Sequence, residues 1–389
     1  MTTPDFARRR FGLWILAAAL LAGCRTAPPP APTAPDSFPP VVFVHGNGDT
    51  AALWTTTLWR FESNGWPRER LHAIDAPYPL ARDDDTKPQG GTSSTAEQMQ
   101  FLAAEVDAVL KRTGARQVAL VGNSRGGYAI RNYIANGGGA ARVSHAVLGG
   151  TPNHGAWADA KNRPGSEFNG AGPFLLALNA PKGGAGDEVT PGVRWMTIRS
   201  DNNDLYAQPD GAWLGAKGTP THVTFEGPAL KGAQNVVIPG IDHHETSYGP
   251  QAFAATWRFI TGRDPATTSI TPEAGIVLNG KVSGQGLNNV PGTGSFASNL
   301  PLAGATVEVY ATQPATGERL GPAVHRKVVG ADGLWGPFGA RPSTSYEFVV
   351  SAPGMRPPTS TARRSRARRP SCTCAPSASP MPTAMRSPS

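Results

Sequence analysis

Residues 117–130 read Gln-Val-Ala-Leu-Val-Gly-Asn-Ser-Arg-Gly-Gly-Tyr-Ala-Ile. An apolar, β-branched run stops at Gly-x-Ser-x-Gly, and apolar residues at helical spacing follow it. A serine between a strand and a helix is typical of a nucleophile elbow, a turn so tight that its neighbours must lack Cβ atoms. Because such a turn lifts the hydroxyl clear of the sheet, we predict that Ser124 is a nucleophile able to attack a carbonyl carbon.

The segment 39–264 alternates short apolar runs with helical patterns, which indicates an α/β domain with a mainly parallel sheet and helices on both faces. Its length of about 225 residues suffices for one such domain with a sizeable core. The predicted strands are Val41–Val44, Leu71–Ile74, Val118–Val121, Val143–Leu148, Val193–Ile198 and Asn235–Ile238. The predicted helices are Leu53–Asn64, Thr95–Arg112, Gly126–Asn136 and Gln251–Thr261.

A second, smaller domain follows a polar Thr/Ser/Pro linker at 265–274. Residues 275–358 carry period-two patterns that predict a small antiparallel β sandwich. Its predicted strands are Ile276–Val282, Ala305–Ala311, His325–Val329 and Tyr346–Ser351. The run 302–310 and Asp332-Gly333-Leu334-Trp335 resemble a carboxypeptidase-regulatory or transthyretin-like module, which implies a spacer, an interface partner or a polymer-binding accessory.

The N-terminus has the pattern of an export signal over residues 1–24, with arginines at 8–10 and an apolar stretch at 11–22. Leu21-Ala22-Gly23-Cys24 resembles a bacterial lipobox, which implies lipidation of Cys24 and anchoring to a membrane. Ordinary secretion with a chance cysteine is the alternative. Residues 25–38, rich in Pro and Ala, predict a stiff, solvated tether. We therefore expect an exported, envelope-anchored lipoprotein.

The tail, 359–389, contains six arginines, no acidic residue and no Val, Ile, Leu or aromatic residue, so it cannot build a core. It is either a disordered basic tail or the product of out-of-frame translation. This tail and a leader of net charge +2 account for the whole formal charge of +8, which leaves the predicted domains close to neutral. Neither the charge nor the aromatic pattern of the body indicates a nucleic-acid partner.

Metal and disulfide chemistry are not indicated either. The cysteines fall at Cys24, Cys372 and Cys374, outside the predicted domains, so no disulfide or thiolate-metal site is expected within them. The cluster His243-His244-Glu245 matches no zinc spacing, and adjacent histidines point apart. We predict that the protein needs neither a metal nor a cofactor.

Candidates for an acid and a base follow later predicted strands, in the chain order that a serine nucleophile of this kind requires. Asp201 and Asp204 come after 193–198, and Asp204 is preferred because its loop is long enough to reach a histidine. Asp201 remains the alternative, with turn capping as its other role. After the last predicted strand, His243 is preferred as the base over His244.

The turn His45-Gly46-Asn47-Gly48 ends the first predicted strand and carries two glycines. A backbone at this place can present an N–H group to a developing oxyanion. We predict that the amides of Asn47 and Arg125 form this oxyanion hole, the latter because it follows the nucleophile. His45 is interpreted as a structural residue of the loop.

These motifs together resemble the α/β-hydrolase superfamily, and within it the small bacterial class 2 lipases of the Bacillus lipase A type. The likeness runs through 40–48, 65–75, 113–115, the elbow and 232–243, and covers nearly all of 39–262. It implies a Ser-Asp-His triad of Ser124, Asp204 and His243.

The sequence also departs from that family's pattern. Asn123 and Arg125 stand where many members have His and Met, and the segment 152–192 is longer than in the minimal lipases. The apolar run 174–178 in this segment could cover or line an acyl pocket, so a substrate preference does not transfer.

The residues and the resemblance together predict an exported serine carboxylester hydrolase, a lipase or esterase that acts as a monomer on a lipid or polyester substrate. An extracellular depolymerase of polyesters such as polyhydroxyalkanoates is an alternative within the enzymes. A non-catalytic, envelope-binding lipoprotein is the alternative from another class.

Overall fold

The computed structural model describes residues 38–201, 204, 206, 220–223, 228–284, 298–352 and 365–366. All of them belong to one unit of the chain, residues 38–389. Cys24, the predicted signal and most of the predicted tether and tail lie outside the described residues. None of the helices within the described ranges is long and apolar enough to span a membrane.

A six-stranded parallel sheet forms the centre of the larger domain, in the order β2-β1-β3-β4-β5-β6. The central strand β3 is buried at all six positions, as expected for a strand covered on both faces. The strands are β1 Val41–Val44, β2 Leu71–Ile74, β3 Val118–Asn123, β4 Val143–Gly149, β5 Arg194–Arg199 and β6 Gln234–Val237. Because they run parallel, their carboxyl ends meet at one edge, where the candidate site residues follow.

Helices cover both faces of this sheet. They are α1 Thr55–Ser63, α2 Thr95–Thr113, α3 Arg125–Asn136, α4 Pro173–Leu178, α5 Glu245–Tyr248 and α6 Pro250–Thr261. One core contains Phe61 of α1 and Trp257 of α6, and the other contains Val106 of α2 and Ile130 of α3. The sequence sets the ends of α2 clearly, since Ser94 and Glu97 form a capping box and Gly114 is left-handed.

The second domain is antiparallel. Strand β7 (Ile276–Leu278) pairs with β10 (Phe338–Ala340), and a second sheet has the order β12-β11-β8-β9. The second sheet contains β8 Thr306–Thr312, β9 His325–Val328, β11 Ser345–Ser351 and β12 Ser365–Arg366. Trp335 is completely buried in the core that these strands share.

The sequence prediction of an α/β fold followed by antiparallel β sheets is confirmed. Every predicted strand and helix overlaps an observed one, with the largest error at β7, which ends four residues before the predicted Val282. Two short helices, α4 and α5, the three-residue strand β10 and the two-residue strand β12, which lies within the predicted tail, were not predicted. They are too short to show a periodic pattern.

The linker between the domains lies against α1. Asn64 donates to the carbonyl of Thr267 at 2.8 Å and accepts from its amide at 3.0 Å, and Arg60 donates to the carbonyl of Thr268 at 2.8 Å. The described linker residues are therefore held against the larger domain. The predicted domain boundaries themselves stay predictions.

Candidate active site

Ser124 lies at the junction of β3 and α3 in a strained backbone conformation. Its φ is 52° and its ψ is −120°, outside the regions that a residue with a Cβ atom normally adopts. Such strain costs about 1–3 kcal/mol and persists only where the surroundings enforce it. The amide of Ser124 donates to the carbonyl of Gly149 at 2.8 Å, and the Thr151 hydroxyl donates to the Ser124 carbonyl at 3.0 Å. The turn is thus fixed from the end of β4.

The glycines of Gly-x-Ser-x-Gly are required by close backbone packing. A Cβ on Gly122 would lie 2.7 Å from Cδ1 of Ile130 and 2.9 Å from the carbonyl carbon of Gly126. A Cβ on Gly126 would overlap the carbonyl oxygen of Val44 and lie 2.7 Å from that of His45. The helix that follows Ser124 therefore packs directly on the end of β1, which only a residue without a side chain allows.

His243 and Asp204 form a hydrogen-bonded pair at the same edge of the sheet. Nδ1 of His243 lies 2.8 Å from Oδ1 of Asp204, whose side chain is completely buried. The imidazole retains 14% exposure. A Cβ on Gly150 would lie 3.1 Å from this Nδ1 and 3.2 Å from Oδ2 of Asp204, so the pair lies directly beside the end of β4. This is the strand end that also holds the Ser124 amide.

The two alternatives from the sequence are placed differently. Asp201 is exposed, and its Oδ1 accepts from the Ser200 hydroxyl at 3.1 Å and from the Gly240 amide at 3.2 Å, which is a loop-capping role. His244 is exposed, with Nε2 at 3.6 Å from Oδ2 of Asp49. The described residues contain no group of three or more His, Cys, Asp or Glu arranged to hold a metal ion.

Asn123 connects the serine turn to the histidine loop. Its Nδ2 donates to the carbonyl of His243 at 3.1 Å, while Thr246 donates to the same carbonyl at 2.6 Å. Both hydrogen bonds fix the backbone of His243, whose imidazole pairs with Asp204. In the sequence, Asn123 stands out only as a departure from a family pattern. Its contact with His243 could not be predicted, because the two residues lie 120 positions apart in the chain.

The two predicted oxyanion donors belong to α3 and to the loop that follows β1. Arg125 is the first residue of α3, where a backbone N–H has no intrahelical acceptor. Asn47 lies in the loop after β1, residues 45–50, which we call the β1 loop. A Cβ on Gly46 of this loop would lie 3.1 Å from Cβ of Ser124, so the loop passes directly beside the serine. The Asn47 side chain is itself fixed, because its Oδ1 accepts from the Ala81 amide at 2.7 Å.

Residues 39–184 match the family model described as alpha/beta hydrolase fold. The larger domain therefore has the α/β-hydrolase fold. Residues 274–370 match the model of the lipase C-terminal domain, a match that runs past residue 359, where the sequence indicated a break. The narrower resemblance to class 2 lipases, the carboxypeptidase-regulatory or transthyretin-like likeness and the tail boundary stay predictions.

Several solved structures are similar to this chain. The mature lipase BlEst2 of Bacillus licheniformis has 21% sequence identity and a TM-score of 0.42, covering 60% of this chain and 96% of that chain. Aspergillus fumigatus lipase B has 18% identity and a TM-score of 0.40, covering 62% and 57%. Carboxylesterase CesB of Bacillus subtilis has 14% identity and a TM-score of 0.33, covering 59% and 86%.

The residue after the serine, Arg125, forms a buried ion pair. The side chains of Arg125 and Glu167 are 4% and 2% exposed, and two hydrogen bonds of 2.7 and 2.8 Å join them. Arg125 also donates to the carbonyl of Pro79 and to the hydroxyl and carbonyl oxygens of Ser93. All five of its N–H donors are therefore used. The pair links the first turn of α3 to residues 79–93 and to the long segment 152–192.

The segment 152–192 is tied to α3 at further points. Arg131, 2% exposed, donates to the carbonyl of Leu178 at 3.0 Å and to Oδ1 of Asn179 at 2.7 Å, and burial lowers its pKa to about 10. Tyr128 donates to the carbonyl of Pro152 at 2.6 Å and packs on the buried Leu175 and Leu178. The apolar run of α4 thus packs on α3, while the idea that it lines an acyl pocket stays a prediction.

His45 is a neutral structural residue, as the sequence interpretation has it. The ring is buried, and this burial lowers its pKa. Its Nε2 must accept from the Ala76 amide, 3.1 Å away, because an amide N–H can only donate. The proton is therefore on Nδ1, which donates to the Gly46 carbonyl at 2.9 Å. The imidazole thereby holds the start of the β1 loop against the end of β2.

We expect Asp204→Asn to lower kcat for a soluble ester by about three to four orders of magnitude, because an amide can hold the imidazole in the wrong tautomer. Asp201→Asn is the matched control, since Oδ1 of an asparagine can still accept from Ser200 and Gly240, and its kcat should stay within about three-fold. Steady-state kinetics on both variants measures the difference. A larger loss in Asp201→Asn would make Asp201 the acid.

Glu167→Ala should lower the free energy of unfolding by about 3–5 kcal/mol, because it leaves the Arg125 guanidinium buried without its counter-charge. Arg125→Met combined with Glu167→Leu should lose less, since no unpaired charge remains. The control is Glu308→Ala, which breaks the exposed pair of Glu308 and Arg326 and should cost under about 1 kcal/mol. Urea denaturation measures all three, and equal losses at the buried and the exposed pair would refute the argument.

Proposed function

We propose that the protein is a serine carboxylester hydrolase of the lipase or esterase type. The observation that carries this proposal is the hydrogen bond of 2.8 Å between His243 Nδ1 and the buried carboxylate of Asp204, at the sheet edge where Ser124 occupies its strained turn. The match of residues 274–370 to a lipase C-terminal domain supports the same substrate class.

In the proposed reaction, Nε2 of His243 accepts the proton of the Ser124 hydroxyl while Oγ attacks the ester carbonyl carbon. Asp204 holds the proton on Nδ1 and stabilises the imidazolium that forms. The amides of Asn47 and Arg125 donate to the oxygen that becomes negative. The alcohol leaves with the proton from His243, an acyl-enzyme remains on Ser124, and a water activated by the same imidazole releases the acid. In the proposal, no residue in these steps depends on a metal or a cofactor.

The geometry also suggests why this chain suits acyl transfer. The Asp204 carboxyl group is completely buried beside an imidazole that is only 14% exposed, so water screens their interaction only weakly. The Arg125 side chain uses all five of its donors on Glu167, Pro79 and Ser93, so the donor proposed for the oxyanion is the backbone N–H of this residue and not its guanidinium.

Ser124→Ala should lower kcat for p-nitrophenyl butyrate by a factor of about 10³ or more, because the nucleophile and its base act as one unit. The matched control is Ser144→Ala at the start of β4, at the opposite edge of the sheet, where the hydroxyl donates to the Val118 carbonyl and is hydrogen-bonded to Nδ1 of His145. That variant should keep the activity of the unaltered protein.

A fluorophosphonate probe provides the second measurement. It should label the unaltered protein and Ser144→Ala, but not Ser124→Ala. A protein that is folded yet neither labelled nor active would be a binding protein and not an enzyme. Retention of more than about a tenth of kcat in Ser124→Ala would refute the proposed nucleophile.

We further propose that the protein is exported and anchored through a lipid on Cys24. The support is the order of arginines, apolar stretch and lipobox-like residues at 8–24, followed by a polar tether before the first strand. Two or three acyl chains on one residue would hold the enzyme on a membrane far more firmly than one chain.

Globomycin, which blocks the lipoprotein signal peptidase, should cause the uncut precursor to accumulate in a bacterial host. Cys24→Ser should release the mature protein from the membrane fraction or leave it uncut. Immunoblots of fractionated cells measure both effects. Unchanged processing in the presence of globomycin would favour ordinary secretion.

A further inference from the structure

One asparagine of the C-terminal domain is buried inside the catalytic domain. Asn299 is 1% exposed, and its Nδ2 donates to the carbonyl of Asp49 at 2.9 Å and to that of Ala76 at 3.0 Å. Its backbone amide donates to the carbonyl of Pro77 at 3.0 Å. The residue thus joins the β1 loop to the segment that follows β2.

The amide orientation is set by these partners. Nδ2 faces two carbonyl oxygens, which can only accept, so a flipped amide would place three oxygens together. Nδ2 also lies 3.4 Å from Nε2 of His45, which already accepts from the Ala76 amide. Asn299 therefore contacts the three groups that position the β1 loop on β2.

The segment that carries Asn299 is itself held firmly in the C-terminal domain. Gly284 donates its amide to the carbonyl of Leu300 at 3.0 Å, and Leu302 donates to the carbonyl of Val282 at 2.9 Å. These two hydrogen bonds flank the β-bridge between Ser283 and Pro301. Because this bridge holds the residues directly after Asn299, the position of Asn299 on this domain is fixed. It cannot follow the β1 loop if the loop shifts.

A second residue of the same domain reaches the same loop. Nζ of Lys281 lies 3.4 Å from Oδ2 of Asp75, and Oδ1 of Asp75 accepts from the amide of Ala51 at 2.7 Å. Lys281 and Asn299 thus act on the C-terminal side of the β1 loop from two places. The predicted oxyanion donor, Asn47, lies on this loop two residues before Asp49.

We propose that Asn299 is a positioning residue for the oxyanion hole, an inference that rests on the hydrolase function proposed above. Its Nδ2 bridges the carbonyl oxygens of Asp49 and Ala76. This bridge fixes the path of the β1 loop and hence the direction of the Asn47 N–H. The C-terminal domain is then part of the catalytic apparatus. The sequence interpretation of this domain as a spacer, an interface partner or a polymer-binding accessory named no residue for this contact, because Asn299 and Asp49 are 250 residues apart.

The test uses the full chain with Asn299→Leu, which has a similar size but no donor, and Asn299→Ala, which introduces no steric conflict. We expect kcat for a soluble short-chain ester, normalised to sites titrated with a fluorophosphonate, to fall about ten-fold with KM within two-fold. Complete removal of an oxyanion donor costs about 10²–10³ in rate, and a displaced donor should cost less. Normalisation removes any effect of a partly unfolded sample.

An inhibitor that forms an oxyanion gives the decisive readout. The Ki of a trifluoromethyl ketone, which adds to the serine and places a negative oxygen in the hole, should rise by about the same factor as kcat falls. A residue that merely stabilises the fold would lower the melting temperature and leave the Ki of the folded enzyme unchanged. An unchanged Ki therefore overturns the proposal.

Asn64→Ala is the matched control, since it removes two hydrogen bonds between the catalytic domain and the linker far from the β1 loop. It should keep kcat and Ki. An equal loss in Asn64→Ala, or kcat within two-fold of the unaltered enzyme in both Asn299 variants, would overturn the positioning role. Ser124→Ala, assayed in parallel, separates the two proposals, because its continued activity would refute the hydrolase function itself.

Discussion

The strained turn at Ser124 is the constraint on which the site depends. A residue with φ of 52° and ψ of −120° is held there only if its neighbours oppose relaxation. They do so by hydrogen bonds from the end of β4 and by the contact of Gly126 with the carbonyls at the end of β1. The carboxyl ends of β1, β3 and β4 are therefore adjacent. This edge of the sheet brings together the serine turn, the β1 loop and the histidine loop.

The residues on either side of the serine, Asn123 and Arg125, connect its turn to two different parts of the domain. Asn123 donates to the carbonyl of His243, and Arg125 reaches Glu167 and the segment around Ser93. A buried ion pair contributes little net stability compared with an apolar substitute, but the loss of one partner is expensive. Its effect here is geometrical, since it fixes the long segment 152–192 to the first turn of α3. Together with the contacts of Arg131 and Tyr128, this attachment holds the segment on α3 at several points.

The sequence predicts what depends on local pattern. The strands β1 and β2 are predicted to the residue, because apolar runs end at clear turns. Asp204 and His243, which the structure joins by a hydrogen bond, were preferred because they follow strands in a required order. The helices α4 and α5, with six and four residues, are too short to show periodicity. Glu167 and Asn299 could not be found, since each acts through partners far away in the chain, and for Asn299 these are mainly backbone carbonyls, which no residue type reveals.

The same reasoning explains why the β1 loop is supported by a second domain. Hydrogen bonds from the end of β4 hold the serine turn, and Asp204 and Asn123 hold the histidine. The β1 loop, in contrast, follows a strand that lies next to the edge strand β2, and it has glycines at 46 and 48. Glycines permit the close approach to Ser124 but also lower the stiffness of the loop. The neutral His45 fixes its beginning, and Asn299 fixes its end at Asp49. The β1 loop needs its glycines in order to pass close to Ser124, and it is held in place by groups outside it. One of those groups, Asn299, comes from the C-terminal domain.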